Sequence, residues 1–166
     1  MSVQTIMTIL EKLEKMHRSL LEHSYRKTEL VKQGDMEELD QMLKIEQSHV
    51  AAIETLEQQR QQVVTEYLRA KGIAPAGTPS VADVIEATED ETEKSELQAV
   101  RKRLISVIDE LKQQNDLNQK LVFQSLQFVN MTMEMMRPST EQINYSGKEV
   151  RGQNAIPKKG YFDSQA

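Results

Sequence analysis

An unbroken helical periodicity is the feature that most constrains this chain. From Val3 to Val31 there is no glycine or proline, and the apolar residues recur at alternating steps of three and four. This spacing puts them on one face of an α-helix and is typical of helices that pack lengthwise on one another. We therefore predict a first helix over about residues 2–33. Its stripe, polar members included, is Val3, Ile6, Leu10, Leu13, His17, Leu20, Ser24, Lys27 and Val31.

A short turn separates this helix from the next. Gly34 suits the left-handed position that follows a helix end, and Asp35 with Glu38 three residues later is typical of a helix start. A second helix is predicted over about residues 35–71. Because the connection is so short, the two helices should lie antiparallel as a hairpin.

A third long helix follows a glycine- and proline-rich break at residues 72–79. Ser80 and Asp83 predict a capped short helix over 81–87, and the long helix should then run over about 90–136, until Pro138. Polar residues in the middle of its seam can fix register at a cost in stability. The predicted seam is Leu97, Val100, Leu104, Val107, Leu111, Gln114, Asn118, Leu121, Ser125, Phe128, Thr132 and Met135.

These elements define an all-α fold, an elongated coiled-coil-like bundle. We expect one helical domain over residues 1–137, made of the long antiparallel hairpin and the third long helix. A flexible C-terminal tail is expected over residues 138–166, which hold three of the six glycines and two of the four prolines. The composition agrees, since three Phe, four Tyr and no Trp suit solvated helices better than an α/β enzyme.

Composition and motifs also argue against several functions. The chain has no cysteine, no apolar run near the roughly 18 residues of a membrane span, and no signal-peptide pattern, so we expect a cytoplasmic protein without membrane insertion. The net charge is −5, and residues 78–96 hold seven acids and one base, which argues against nucleic-acid binding. That acidic block is interpreted as a solvated helix start, the alternative being a docking patch for a basic partner. Without a phosphate loop or nucleophile elbow, we expect neither an enzyme nor a cofactor.

Two Glu-x-x-His pairs leave a metal-binding alternative open. Glu14 and His17 lie on the first helix, Glu46 and His49 lie on the second, and the hairpin would bring both pairs to a similar height. Di-iron helix bundles use two such pairs together with carboxylates from two further helices. The inward face predicted for the third long helix has no carboxylate, so we predict no metal site.

The C-terminal end of the third long helix carries the strongest functional signal. Its apolar residues occupy more than one seam, and four of the nine methionines fall within residues 131–136. Methionine is flexible and polarizable, which suits surfaces that adapt to partner helices. We predict that this end binds an amphipathic helix of a partner. The alternative is that it forms core or a homodimer interface, as in a structural coiled-coil protein without an export substrate.

The whole chain resembles the FlgN family of flagellar export chaperones. The resemblance rests on the heptads from Leu10 to Leu21, the turn from Gly34 to Leu39 and the run from Leu121 to Phe128. It also rests on the tail elements Asn144-Tyr145-Ser146 and Tyr161-Phe162-Asp163-Ser164, which are most similar to those of Bacillus-type members.

The resemblance implies a cytoplasmic helical chaperone without ATPase activity. Such chaperones bind the C-terminal helical segments of the hook–filament junction proteins FlgK and FlgL, prevent their premature assembly and deliver them to the type III export gate. Some relatives contact the gate through a C-terminal tyrosine; this chain has no tyrosine between Leu68 and Asn144, so the resemblance points to Phe123 or Tyr145. The substrate-binding residues implied are Leu117, Leu121, Val122, Leu126, Phe128, Val129, Met133 and Met136.

Overall fold

The computed structural model describes residues 2–137, and these form four helices. The helices are α1 (Val3–Gln33), α2 (Met36–Ala70), α3 (Val81–Ala87) and α4 (Glu91–Met136). No strand occurs among the described residues, so the all-α prediction is confirmed. Where the predicted limits differ from the observed ones, the extra residue is a cap: Ser2, Asp35, Lys71 and Asp90. The predicted flexible tail and Tyr145 lie outside the described residues.

The turn between α1 and α2 has the predicted chemistry. Gly34 has a φ of 73°, and the N–H groups of Gly34 and Asp35 donate to carbonyl oxygens in the last turn of α1. This geometry satisfies the orphan carbonyls of a helix end and favours glycine. The Asp35 side chain accepts a hydrogen bond from the Glu38 N–H at 3.0 Å. Glu38 itself pairs with Arg26 of α1, which closes the base of the hairpin.

Helix α1 is the element on which both other long helices pack. Its neighbour α2 is antiparallel, because Ser19 contacts His49 while Lys27 contacts Glu46. Helix α4 runs parallel to α1. This direction follows from two contacts, Arg103 with Glu14 and Asn118 with Ser24, whose positions advance together along the two helices.

The hydrophobic core lies at the end of the bundle away from the Gly34 turn. There the start of α1, the end of α2, the short α3 and the first turns of α4 bury their apolar faces together. Ser80 and Asp83 form a reciprocal capping box that starts α3, as predicted. Completely buried core side chains are Ile6, Leu10, Leu13, Val64, Leu68, Val84 and Leu97.

A layer of polar side chains replaces the apolar core nearer the turn. The Asn118 amide donates to the backbone oxygen of Ser24 at 2.8 Å, and its oxygen accepts from the Thr28 hydroxyl. The Gln114 amide donates to the same hydroxyl at 2.6 Å. Asn118 is only 3% exposed. Because a one-turn slip would leave these buried groups without partners, the layer fixes α4 in one register on α1.

This register leaves the end of α4 without a neighbour among the described helices. Arg103 lies level with Glu14 and Asn118 lies between Ser24 and Thr28, so the end of α1 at Gln33 lies near Val122. Helix α4 continues to Met136, which at about 1.5 Å per residue extends roughly 20 Å past the hairpin turn. We call residues 123–136 the overhang.

The predicted seam of the third long helix is therefore correct only in its first part. Leu97, Val100, Leu104, Val107 and Asn118 are buried against the hairpin, as predicted. The continuation to Phe128 and Met135 is wrong, because these side chains are 64% and 77% exposed. The heptad spacing persists there, but α1 has already ended.

The polar layer yields a first prediction. We expect Asn118→Ala to reduce the free energy of unfolding by about 1–3 kcal/mol, because the Ser24 oxygen and Thr28 hydroxyl lose a buried partner. Asn115→Ala is the matched control, since Asn115 is an exposed asparagine less than one turn away. Urea denaturation of both variants measures the difference; equal stabilities would contradict the role given to Asn118.

Candidate functional site

Two apolar stripes run along the end of α4. The first, the cleft stripe, follows steps of four and three through Val122, Leu126, Val129, Met133 and Met136. The second, the outer stripe, follows the same steps through Leu117, Leu121, Phe128, Met131 and Met135, with Gln124 at the remaining position. At about 100° per residue the two stripes lie well over a third of a turn apart.

Most side chains of both stripes are open to solvent. All ten apolar members except Leu121, which is half-buried, are exposed, from Val122 at 37% to Met136 at 78%. Between Leu117 and Met136 only Lys120 and Glu134 carry charge. A contiguous apolar surface of this kind is characteristic of protein interaction sites rather than of ordinary solvent-facing helices.

A cleft of about 490 Å³ lies where the cleft stripe meets the body of the bundle. It lies between α2 and α4, which both pack on α1 but not on each other. Leu20 of α1 and Val50 of α2 add apolar surface opposite α4. The lining residues are Leu20, Lys27, Glu46, Val50, Leu111, Asn115, Asn118, Gln119, Val122, Phe123 and Leu126.

The polar groups beside the cleft are held by one another. Lys27 Nζ lies 3.0 Å from Glu46 Oε2, and the two side chains are 20% and 18% exposed. One turn away, His49 Nε2 lies 2.9 Å from the Ser19 hydroxyl, and the His49 ring meets the edge of His23. These contacts join α1 to α2, so they stiffen the wall opposite α4.

The structure distributes the sequence-predicted site residues over both stripes. Val122, Phe123 and Leu126 line the cleft, and Val129, Met133 and Met136 continue the cleft stripe along the overhang. Leu117, Leu121 and Phe128 belong to the outer stripe instead. Past Val122 the hairpin covers neither stripe. Whether any of these residues binds a partner stays a prediction.

Sequence reasoning missed the part of the cleft that other helices supply. Leu20 is predicted only as a member of the stripe on the first helix, and no site role is predicted for Val50. Val50 is 46% exposed, and Leu43 one heptad earlier is 39% exposed. Their seven-residue spacing was visible in the sequence, but nothing in it told which face of α2 would be left open.

The alternative metal site is not assembled. Glu14 pairs with Arg18 and Arg103, and Glu46 pairs with Lys27. His17 Nδ1 lies 2.7 Å from the Leu13 backbone oxygen. Within residues 2–137 no group of three or more His, Cys, Asp or Glu side chains could hold a metal ion. The two Glu-x-x-His pairs instead serve contacts within and between helices.

The acidic block caps helices. Asp83 accepts from the Ser80 N–H and hydroxyl, and these hydrogen bonds lower the pKa of its carboxyl. Asp90 accepts from two N–H groups at the start of α4. Both positions place negative charge at the positive end of a helix dipole, in agreement with the solvated helix-start interpretation.

Together the fold and the surface define an all-helical protein with an exposed apolar surface and a helix-lined cleft. None of the described helices is both long and apolar enough to cross a membrane. The family model for FlgN protein matches residues 1–150. The Bacillus subtilis (strain 168) protein YvyG is 32% identical over 169 residues, covering 100% of each chain. No solved structure matches.

The chain belongs to the FlgN family. This is a family of chaperones for flagellar export, not of enzymes, and membership supports a chaperone role for this chain in general terms. The family predicted from the sequence is thereby confirmed.

Glu14 yields a second prediction, on pH dependence. Burial raises the pKa of its carboxyl, but hydrogen bonds from Arg18 and Arg103 outweigh this and hold the pKa below its ordinary value. Because the folded-state pKa is lowered, the ionised carboxyl stabilises the fold at pH values above the unfolded-state pKa of about 4.3. This stabilisation is lost as the pH falls through the folded-state pKa. We expect Glu14→Gln to cost less than about 1 kcal/mol at pH 7, because its arginines are half exposed.

Urea denaturation at pH 7 and at about pH 3 checks this, with the exposed Glu11→Gln as the matched control. The Glu14→Gln deficit should shrink at the lower pH, while the control should stay close to wild type at both. A deficit that persists undiminished in acid would show that Glu14 acts through packing rather than through its charge.

Proposed function

We propose that this protein is a cytoplasmic flagellar export chaperone that binds the C-terminal helical segments of the hook–filament junction proteins FlgK and FlgL. On this proposal it prevents their premature assembly and delivers them to the type III export gate. Family membership supports the general role. Binding of a substrate helix is supported by the solvent-exposed, nearly uncharged cleft stripe, which continues from a cleft between helices.

The proposed mode of binding is a helix in a groove. An amphipathic helix from the substrate would lie between α2 and α4, with Leu20 as part of the floor, and would follow the cleft stripe onto the overhang. It would then complete a four-helix arrangement over the half of the molecule that has only three helices. Apolar anchors at steps of three and four on the substrate would match the same spacing on α4.

The energetics support a reversible complex. Burial of apolar surface contributes roughly 25 cal/mol per Å², and the cleft stripe has five apolar side chains to bury. Association entropy and the ordering of long methionine side chains offset much of that gain. With few charged groups at the site, the affinity should depend weakly on salt, in contrast to an electrostatic docking patch. A chaperone that delivers its substrate must also release it, and a modest net binding free energy allows that release.

A third prediction concerns the cleft stripe. We expect Leu126→Glu/Val129→Glu to lower the affinity for a peptide of the FlgK or FlgL C-terminal helix at least tenfold, because two charges would be buried against an apolar helix face. Isothermal titration calorimetry measures the affinity. Ile105→Glu is the matched control, since Ile105 is also an exposed apolar residue of α4 but does not line the cleft.

Circular dichroism should show unchanged helicity for both variants, because the substituted side chains are already exposed. If neither peptide binds the wild-type protein, the assignment of the junction proteins as substrates fails. If the control loses affinity as strongly as the double variant, the cleft stripe is not the site.

A fourth prediction concerns the residues after α4. We expect the full-length protein and a chain ending at Arg137 to bind the same peptide with affinities within about threefold, because the cleft and both stripes lie before that residue. Titration of both proteins tests this. Binding by full-length protein alone would bring Tyr145 and its neighbours into the substrate site.

A further inference from the structure

We propose that the outer stripe is a self-association seam, on which two copies of this chain pair through antiparallel α4 helices. The seam consists of Leu117, Leu121, Phe128, Met131 and Met135 with Gln124 at its middle. It is separate from the cleft stripe, so this inference does not depend on the identity of any export substrate. The occupant it names is a second copy of this chain.

The spacing of the outer stripe is that of a two-helix seam. Its members follow alternating steps of four and three from Leu117 to Met135, a length of about 27 Å at 1.5 Å per residue. Past Leu121, which is half-buried, no other described helix covers this stripe: Phe128, Met131 and Met135 are 64%, 50% and 77% exposed. A second helix of the same spacing would bury them lengthwise.

The charges on α4 favour an antiparallel partner. Lys120 and Glu134 are the only charged residues between Leu117 and Met136, and both lie on the same flank of the outer stripe. An antiparallel pairing that sets Leu117 beside the partner copy's Met135 also sets Lys120 beside the partner copy's Glu134. The two-fold axis makes this contact twice. A parallel pairing would instead set this charged flank against the opposite flank of the partner copy, where Ser125 and Thr132 are uncharged, so neither contact would form.

The geometry of the bundle leaves room for such a pair. The register set by Asn118 places α1 along one flank of the seam, where Leu121 is half-buried, and the overhang extends past the hairpin. The same surface patch serves both copies, as a two-fold interface requires. With five apolar side chains from each copy and a polar Gln124 at the centre, we expect a weak dimer with a Kd on the order of micromolar.

Sedimentation velocity of the full-length protein over a concentration series tests the dimer. We expect the wild-type protein to shift from monomer to dimer as concentration rises, and Phe128→Glu/Met131→Glu to stay monomeric throughout with unchanged helicity. Leu126→Glu/Val129→Glu, on the cleft stripe, is the matched control and should still dimerise. A monomeric wild type, a dimeric Phe128→Glu/Met131→Glu variant or a control that dissociates as completely would each overturn the proposal.

Charge reversal tests the orientation. We expect Lys120→Glu and Glu134→Lys each to weaken the dimer about two- to fivefold and the double reversal to restore the wild-type Kd, because each single change places like charges together. Losses that simply add in the double variant would overturn the antiparallel pairing.

Cysteine cross-linking provides a second, independent test, because the chain has no cysteine of its own. Leu117→Cys/Met135→Cys should form an intermolecular disulfide under mild oxidation, since the pairing sets these positions side by side. Leu117→Cys alone should not, because the two copies of that position lie at opposite ends of the seam. Efficient cross-linking of the single variant would indicate a parallel pair and overturn the proposal.

Discussion

The hydrogen bonds between α1 and α4 at Ser24, Thr28 and Asn118 fix the position of α4 on α1, and with it the apolar surface that α4 leaves exposed. Burying an asparagine is costly unless both ends of its amide are satisfied, and here both are, by the Ser24 backbone oxygen and the Thr28 hydroxyl. Any other register would break these bonds. A shift of α4 toward its own N-terminus would pull the overhang back beside the hairpin, so the polar layer sets how much of α4 stays exposed.

The sequence predicted the helices closely because their limits are set by local chemistry. Gly34, Asp35, Ser80 and Asp83 each act through contacts within a few residues, and the observed caps use those contacts. The buried faces of the helices could be predicted equally well, since Leu10, Leu13, Leu97 and Leu104 follow the helical period and are buried.

The register of α4 on α1 could not be predicted in the same way. It depends on contacts between residues about 90 positions apart, such as Asn118 with Thr28, and a periodic seam is compatible with several offsets. The polar positions Gln114 and Asn118 indicated that some register was fixed, but not which one. Consequently the sequence could not reveal that the seam at Phe128 would lie past the end of α1, nor that Leu20 and Val50 would line a cleft.

The overhang also links the two stripes to each other. The overhang continues a helix that the packed part of α4 has already nucleated, so no new helix nucleus has to form. Its β-branched and aromatic residues, among them Phe128, Val129 and Thr132, are nevertheless modest helix formers, and no other described helix packs on them. An occupant of either stripe therefore favours the same helical conformation that the other stripe needs. Wherever two occupants do not collide, binding on one side of α4 should assist binding on the other, since the cost of ordering the helix is met only once.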